Sequence, residues 1–574
     1  MNNGQNNVVT ESRFDKLFRG VRITMNLVGI LGLAFVVMDP SFGEMPWYCF
    51  LKALLAPPVY AVFLLHLSLA IILSRSIWGF LKNHSLDAVF FIPLFSMSFG
   101  GVHPAHILMV RQFVHYFYRY LQSSTLTNLA DSITERPARV IAVSFLGIIL
   151  IGAFLLVLPV SVSPAFKPSF LTALFTSTSA VCVTGLNVID PGTYFTQFGQ
   201  IIVLGLIQVG GLGIMTLSAG VILLAGRRMG ISQISVMQNV LDQSDLAGLR
   251  RILVDIIRWT FLIEGIGALI LSQRFWAVSK CSPLRAIYLG VFHSVSAFCN
   301  AGFALFPNNL MDFAGDPAVN FTVMGLIVFG GLGFSVIGFL AGFFAKGRRR
   351  RPVDVHSTLV LTATIFLIIV GAGTIFVLEY QGPAMEHLSL SEKVMASFFA
   401  SVTPRTAGFN TIDTGLMKTS TLFFTVILMF IGASPGSTGG GIKTTTMATM
   451  ILALDSQMKG ASDVVVMERT IPNDVVLRAF LITAISAVLV GVYTFLLILL
   501  EDQPLIKILF EVTSAFGTVG LSANLTPSLC SLSQLLIISL MYIGRIGPLT
   551  LALTIRKASD KGNIHYPTTR VIVG

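Results

Sequence analysis

Four stretches of this chain repeat one pattern at near-equal intervals: a half-length apolar segment rich in Ser and Thr, then a turn ending in glycine. Aligned on that glycine they read Phe175-T-S-T-S-A-V-C-V-T-Gly185-L-N, Phe292-H-S-V-S-A-F-C-N-A-Gly302-F-A, Phe398-F-A-S-V-T-P-R-T-A-Gly408-F-N and Phe510-E-V-T-S-A-F-G-T-V-Gly520-L-S. Phe stands ten residues before the glycine each time, and Leu or Phe directly follows it. An internal repeat constrains architecture more than any single motif, because each unit must pack against its copies.

Composition names the solvent. Of 574 residues, 54% are hydrophobic and only 11% charged, against about 25% charged in a water-soluble domain. Such a chain cannot cover a surface in water, which excludes a soluble enzyme. The net charge of +11 sits in short clusters between apolar runs, which argues against disorder and against nucleic acid as a partner. The lipid bilayer is the expected environment. The five cysteines (Cys49, Cys182, Cys281, Cys299, Cys530) show no metal-type pair spacing and imply neither a disulfide framework nor a zinc site. The first apolar run lacks a small-residue cleavage site, so it reads as a retained helix rather than a signal peptide.

Apolar runs of about 20 residues mark membrane spans. They fall at 21–38, 55–74, 139–160, 198–224, 252–272, 319–345, 357–378, 419–454, 475–500 and 532–556. From residue 139 onward, shorter apolar pieces lie between successive pairs, at 167–185, 284–302, 391–408 and 504–520. The expected fold is an all-α polytopic membrane protein with four consecutive helix, pore-loop, helix repeats around one central pore and an extra N-terminal helical bundle. The corresponding stretches are 1–136 for the bundle, then 137–250, 251–355, 356–470 and 471–574 for the repeats. In the bundle, Asn83, Asp87 and Pro93 followed by Arg111, His115 and Arg119 resemble a degenerate voltage-sensor module. With only two arginines there, an added structural bundle of two to four helices is the expectation.

Basic residues set the orientation. Segments joining one repeat to the next, with the tail, carry twice as many as the half-helix segments, including Arg227, Arg228, Lys346, Arg348 to Arg351, Lys459, Arg469, Arg556 and Lys557. The inter-repeat side is therefore expected to be cytoplasmic and the turns to open outward.

Bare backbone inside a bilayer is tolerated only where it is buried in protein or lines a wet cavity. Four such turns around one axis would make that cavity. Their carbonyl oxygens can replace the water shell of a dehydrated cation, and each half-helix points its negative C-terminal end at the pore. Glycine permits positive φ and close approach of an ion. A monovalent cation, potassium first, is the expected cargo. A helix-packing role for Gly185, Gly302, Gly408 and Gly520 is the alternative, and their common register with Phe and the Ser/Thr-rich segments weighs against it.

These residues, with S-P-G-S-T-G-G-G-I-K-T-T-T (434–446) and the tail Y-P-T-T-R-V-I-V-G (566–574), resemble the Trk/Ktr/HKT superfamily of potassium transporters, most closely the Ktr-type membrane subunit. The likeness runs from about residue 137 to the end. It implies a potassium filter made by Val181, Cys182, Val183, Thr184 and Gly185; Phe298, Cys299, Asn300, Ala301 and Gly302; Pro404, Arg405, Thr406, Ala407 and Gly408; and Phe516, Gly517, Thr518, Val519 and Gly520. It also implies a homodimer with one pore per protomer, and a cytosolic regulatory ring with nucleotide-binding domains. Sodium dependence stays open. The third loop departs from the others, with Val402, Thr403, Pro404 and Arg405 where they carry Ser, Ala, an apolar residue and a small one. Fewer equivalent carbonyl rings predict looser discrimination against sodium than a tetrameric potassium channel achieves.

Within the span 419–454, Gly432, Ser434, Pro435, Gly436, Ser437, Thr438, Gly439, Gly440 and Gly441, followed by Lys443, cannot hold a helix. A loop beneath the filter is expected there, and the resemblance assigns a flexible gate to it. Gly436 and Gly441 have P-loop spacing, but Ile442 intervenes before Lys443 and Thr444 and no soluble strand precedes, so no nucleotide is expected on this chain. Arg545 sits in the last apolar span where Gly211 and Gly331 stand in repeats one and two. A buried arginine costs several kcal/mol or more and must find the pore or a carbonyl partner. The resemblance places it in the barrier beside the gate. Glu264, Glu511 and His293 are given no catalytic role. A secondary carrier would show an inverted repeat, whereas these units run in one direction. An intramembrane enzyme would need clustered His, Asp or Ser, and none of the nine histidines belongs to such a cluster.

Overall fold

The structure is a computed structural model that describes residues 137–213, 246–279, 282–344, 354–461 and 463–547. The expected N-terminal bundle and the C-terminal tail lie outside the described residues. Numbering only helices longer than ten residues, the order is α1 (Pro137–Val157), α2 (Phe170–Val181), α3 (Gln197–Leu212), α4 (Leu246–Ser279), α5 (Pro283–Phe298), α6 (Pro317–Leu332), α7 (Phe334–Phe344), α8 (Val355–Glu379), α9 (Leu390–Val402), α10 (Thr419–Phe430) and α11 (Thr444–Met458). A short antiparallel hairpin, β1 (Val464–Val466) with β2 (Arg469–Ile471), leads to α12 (Asn473–Ile498), α13 (Leu505–Gly517) and α14 (Ser531–Ile546). The chain folds as four successive units of long helix, half-helix, turn and second helix. Helices α8 and α12 are each long and apolar enough to cross a membrane.

Local chemistry sets the half-helix starts. Ser169 and Ser282 accept from the amides of Thr172 and Arg285 at 3.5 and 3.4 Å. Ser389 and Glu392 form a reciprocal capping box, and Pro283 fills a first-turn position whose N–H has no helical partner.

In repeats one to three the half-helix is fixed to its own long helix by one recurring device. Ser177 Oγ donates to Ile149 O, Ser294 Oγ to Glu264 O and Ser401 Oγ to Ile368 O at 2.7, 2.7 and 2.8 Å. Three residues beyond each of those carbonyls stands a glycine, Gly152, Gly267 or Gly371, whose missing Cβ leaves room for the same serine. Repeat four has Val512 in place of the serine.

This device corrects the sequence register of repeat three. Phe175, Phe292 and Phe510 are fully buried, but the buried aromatic of repeat three is Phe399, while Phe398 is 41% exposed. Phe399, Ser401 and Thr403 therefore match Phe175, Ser177 and Ser179, and the third turn is one residue shorter than the others. In this register Val402 and Thr403 match Val295 and Ser296 of repeat two, while Pro404 and Arg405 still depart from the Ala and apolar residue of the other repeats.

The second helices also differ from the expected continuous spans. The run 319–345 is two helices, α6 and α7, bent by 107° at Gly333, whose φ is +90°. Helices α3 and α14 stop at the equivalent glycines, Gly213 and Gly547, with φ of +78° and +92°. Arg545 accordingly lies in the last turn of its helix rather than deep in a longer span.

Close packing of second helix on half-helix depends on glycine as well. A Cβ on Gly210, Gly330 or Gly544 would collide with the carbonyl oxygen of Val181, Phe298 or Phe516, the equivalent residue of each half-helix. Gly330→Val is expected to cost about 1–3 kcal/mol through overpacking. Its unfolding temperature in detergent should fall below that of Gly325→Val, whose added atoms meet nothing within 4 Å; equal temperatures would contradict this packing.

Candidate functional site: the glycine ring and the loop beneath it

The four turns meet. A Cβ built on Gly185 would stand 2.5 Å from Ala301 O, one on Gly302 2.9 Å from Ala407 O, and one on Gly408 2.6 Å from Val519 O, while one on Gly520 would collide with Thr184 O. The order one, two, three, four and back to one closes a ring. Each glycine abuts the carbonyl that directly precedes the next repeat's glycine, so the ring is made of backbone. Thr184, Ala301, Ala407 and Val519 thus bring four peptide oxygens to one level.

The local backbone repeats in all four turns. The glycines have φ of +91°, +70°, +77° and +93°, and two residues earlier Val183, Asn300, Thr406 and Thr518 have φ of +57°, +59°, +70° and +50°. The left-handed region is costly for side-chain-bearing residues, about 1–3 kcal/mol each, and persists only where the surroundings over-determine it. Here hydroxyls at the half-helix ends do so. Ser179 and Ser514 accept from the amides of Gly185 and Gly520 at 3.0 Å. Ser296 and Thr403 donate to the carbonyls of Phe303 and Phe409 at 2.8 and 2.6 Å. The sequence signal for this clamp is Ser six residues before the glycine in repeats one, two and four, with Thr403 hidden by the shortened third turn.

Of the filter residues that the resemblance implies, the structure brings the final residues of all four sets together. Arg405 departs: its side chain is buried and Nη2 donates to Thr364 Oγ1 of α8 at 3.1 Å.

Beneath the ring, residues 431–443 form a loop between α10 and α11. Its ends are pinned by a bridge between Ile431 and Ile442 and by Gly432 N donating to Ile442 O at 2.8 Å. Lys443 Nζ closes back on Gly439 O at 2.7 Å, and Ser434 Oγ lies 3.0 Å from Thr444 Oγ1. The loop then binds two other repeats, two and four, and Arg545 ties it on to repeat one. Thr438 Oγ1 lies 3.1 Å from Gly330 O and 3.3 Å from Phe298 O. Gly440 N donates to Thr518 Oγ1 at 3.1 Å, and Arg545 donates to Thr438 O and Gly210 O. A Cβ on Gly439 would collide with Thr406 Oγ1. With its amide turned so that nitrogen faces Ala297 O and Ile327 O at 3.0 and 3.2 Å, Asn300 presents its oxygen to Thr406. The left-handed Thr406 and Thr518 are therefore also the seat of the loop, a role the sequence did not disclose. Phe334 N, just past the α6 bend, donates to Gly436 O at 3.1 Å.

The buried Glu264, His293 and Glu511 are held by hydrogen bonds. Gln208 Nε2 donates to Glu264 Oε1 at 3.1 Å, joining repeats one and two. His293 and Glu511 bond the segments that leave their turns.

Four in-line repeats that bring half-helix ends and bare peptide oxygens to one axis inside an apolar helical bundle define a membrane transport protein. Residues 121–565 match the TrkH family, described as a cation transport protein, and the chain belongs to that family. It is 41% identical over 440 residues, 76% of this chain and 97% of the relative, to the Ktr system potassium uptake protein B of Bacillus subtilis. It is 35% identical over 444 residues, 76% of this chain and 97% of the relative, to the potassium/sodium uptake protein NtpJ of Enterococcus hirae. The crystal structure of the potassium transporter TrkH from Vibrio parahaemolyticus superposes with a TM-score of 0.55 at 17% identity, over 95% of this chain and 99% of that one.

Arg545 holds the loop by one charge-assisted bond, to Thr438 O, worth about 1.5–3 kcal/mol, and its second bond, to Gly210 O, anchors the guanidinium to repeat one. In hydrogen exchange, Arg545→Ala is expected to speed exchange of peptides spanning 436–441 at least about tenfold; unchanged protection would mean that other contacts hold the loop.

Proposed function

We propose that this chain takes up potassium across the cell membrane through the ring, with 181–185, 298–302, 404–408 and 516–520 as its filter segments. The observation that carries the reading is the level of four carbonyls, from Thr184, Ala301, Ala407 and Val519, against four glycines. A cation of low charge density can shed its water there, because fixed carbonyl dipoles replace hydration without reorganising. The half-helices aim their negative ends at the same point. The named functions of the relatives, potassium uptake and potassium/sodium uptake, support the cargo and leave sodium as a second ion to test.

The four segments are equivalent at the glycine level and unequal below it. The shortened third turn has no counterpart to Cys182, Cys299 and Gly517, so deeper carbonyls do not pair fourfold. One strong coordination level rather than several is consistent with moderate rejection of sodium.

The loop of Gly432 to Gly441, with Lys443 and Arg545, acts as the gate. Lying under the ring, it blocks the path, and the fixed charge of Arg545 opposes a cation there. The basic inter-repeat segments put this side in the cytoplasm and the ring toward the outside. The working assembly is a homodimer of units divided at 137–250, 251–355, 356–470 and 471–574, with 1–136 as an additional bundle, governed by a cytosolic nucleotide-binding ring that acts on the gate. That assembly rests on the family resemblance. No catalytic residue is proposed.

Rubidium uptake into liposomes holding the purified full chain tests the reading. Gly302→Ser and Gly408→Ser are expected to raise the rubidium KM about tenfold or to lose preference over sodium. Deleting 436–441, or Arg545→Ala, should raise flux about tenfold by removing bonds that hold the loop. Unchanged KM and selectivity in both glycine variants would sink the filter, and unchanged flux after the deletion would sink the gate.

A further inference from the structure

The offset directly after the buried Phe of each half-helix holds Thr176, His293, Ala400 and Glu511. Repeats two and four, which carry the His and the Glu, face one another across the ring, since Gly302 abuts Gly185 and Gly408 while Gly520 abuts the same two. Both side chains are fully buried, and both reach forward to the segment that leaves the turn.

His293 Nδ1 stands 2.7 Å from Leu289 O, so that nitrogen carries the proton and donates to the helix carbonyl. Nε2 is left as an acceptor and receives Leu305 N at 3.2 Å, three residues beyond Gly302. The ring stacks on Phe306 with centroids 4.8 Å apart, which fixes its plane. Glu511 does the equivalent with two oxygens. Ser522 Oγ donates to Oε2 at 2.9 Å and Thr526 Oγ1 donates to Oε1. Ser522 Oγ in turn accepts from the amides of Leu525 and Thr526 at 3.1 and 3.3 Å, so one carboxyl organises the exit segment from 522 to 526.

We propose that His293 and Glu511 are positioning residues that brace the exit segments of the two opposed repeats and thereby set the carbonyl spacing, and so the cation affinity and specificity, along the Gly302–Gly520 diagonal. The inference rests on the filter reading and extends it. Selection between alkali cations depends on how closely and how stiffly the oxygens are held. The half-helix end and its clamp hydroxyl fix each turn up to the glycine or the residue directly after it; the brace fixes the segment beyond. Thr176 and Ala400 offer no titratable or carboxyl group, so the diagonal through repeats one and three lacks this class of brace.

The test is rubidium uptake into liposomes by the full chain, with sodium as competitor, for Glu511→Ala, Glu511→Gln and His293→Ala, alongside Gly302→Ser as reference. Glu511→Ala is expected to raise the rubidium KM about tenfold through loss of two buried hydrogen bonds, with maximal rate per folded protein within about twofold and sodium competing correspondingly better. Glu511→Gln, which keeps one carbonyl acceptor, should recover most of the affinity, and His293→Ala should move KM in the same direction. Lower maximal rate at unchanged KM and selectivity would mark a merely structural role and overturn the proposal. If Glu511→Ala does not fold, Ser522→Ala and Thr526→Val remove the partners while leaving the carboxyl, and are judged by the same shift. A Gly302→Ser variant with altered KM beside unaltered Glu511 and His293 variants would overturn the brace alone. Unaltered KM and selectivity in Gly302→Ser would bring down the filter reading and the brace together.

Discussion

The contact on which everything else depends is glycine against carbonyl, repeated four times in a closed circle. Any side chain at Gly185, Gly302, Gly408 or Gly520 would meet the neighbouring peptide oxygen, so the circle can close only where Cβ is absent. Closure also demands two left-handed residues per turn, and three of the four non-glycine ones, Val183, Thr406 and Thr518, are β-branched. Such strain is stable because hydroxyls clamp the half-helices: Ser177, Ser294 and Ser401 hold those of repeats one to three to a long helix, and Ser179, Ser296, Thr403 and Ser514 hold all four turns to the helix end. In a bilayer these bonds matter more than apolar burial does, since lipid is as apolar as the core and close packing supplies most of the gain.

Departures from fourfold symmetry are concentrated in repeat three. Counting from the start of the second helix, Gly432 occupies the place of Gly210, Gly330 and Gly544, and Ala433 that of Arg545. The three other second helices continue for two residues past this place and stop at a positive-φ glycine. Repeat three leaves helix earlier, after Phe430, and spends the intervening residues on the loop. The same repeat has the shortened turn. Both changes make room at one point: a turn drawn back by one residue, and a loop that lies under it with Gly439 against Thr406.

Much of this was legible because physical constraints wrote it into residue type. The ring needs glycine, the half-helices need a buried aromatic, and the loop needs residues that cannot propagate a helix; each leaves a visible signature. What stayed hidden has equally physical causes. Phe398 and Phe399 are adjacent, so a one-residue shortening cannot be told from a substitution until burial shows which ring is inside. Gly333 is flanked by apolar residues on both sides, so hydropathy runs straight through a 107° bend. Arg545 had to find a carbonyl partner, but nothing in the order of residues could select Thr438 and Gly210 from among all the peptide oxygens near it.

The ring and the loop differ in what holds them, and that difference suits them to different work. The ring is locked by sterics: moving one glycine forces its neighbour's carbonyl to move, so the four turns shift together or not at all. The loop is held by hydrogen bonds to carbonyls and hydroxyls that water could satisfy equally well, with net worth of about 0.5–1.5 kcal/mol for each neutral bond. Water reaching these groups would therefore cost the loop little while leaving the ring intact. Arg545 is the exception, because its two acceptors lie on separate repeats, Thr438 in the loop and Gly210 in repeat one. A guanidinium joining the loop to repeat one raises the cost of releasing the loop by the worth of one charge-assisted bond, and under the proposed gating role this is the contact where a small bias decides whether the path is open.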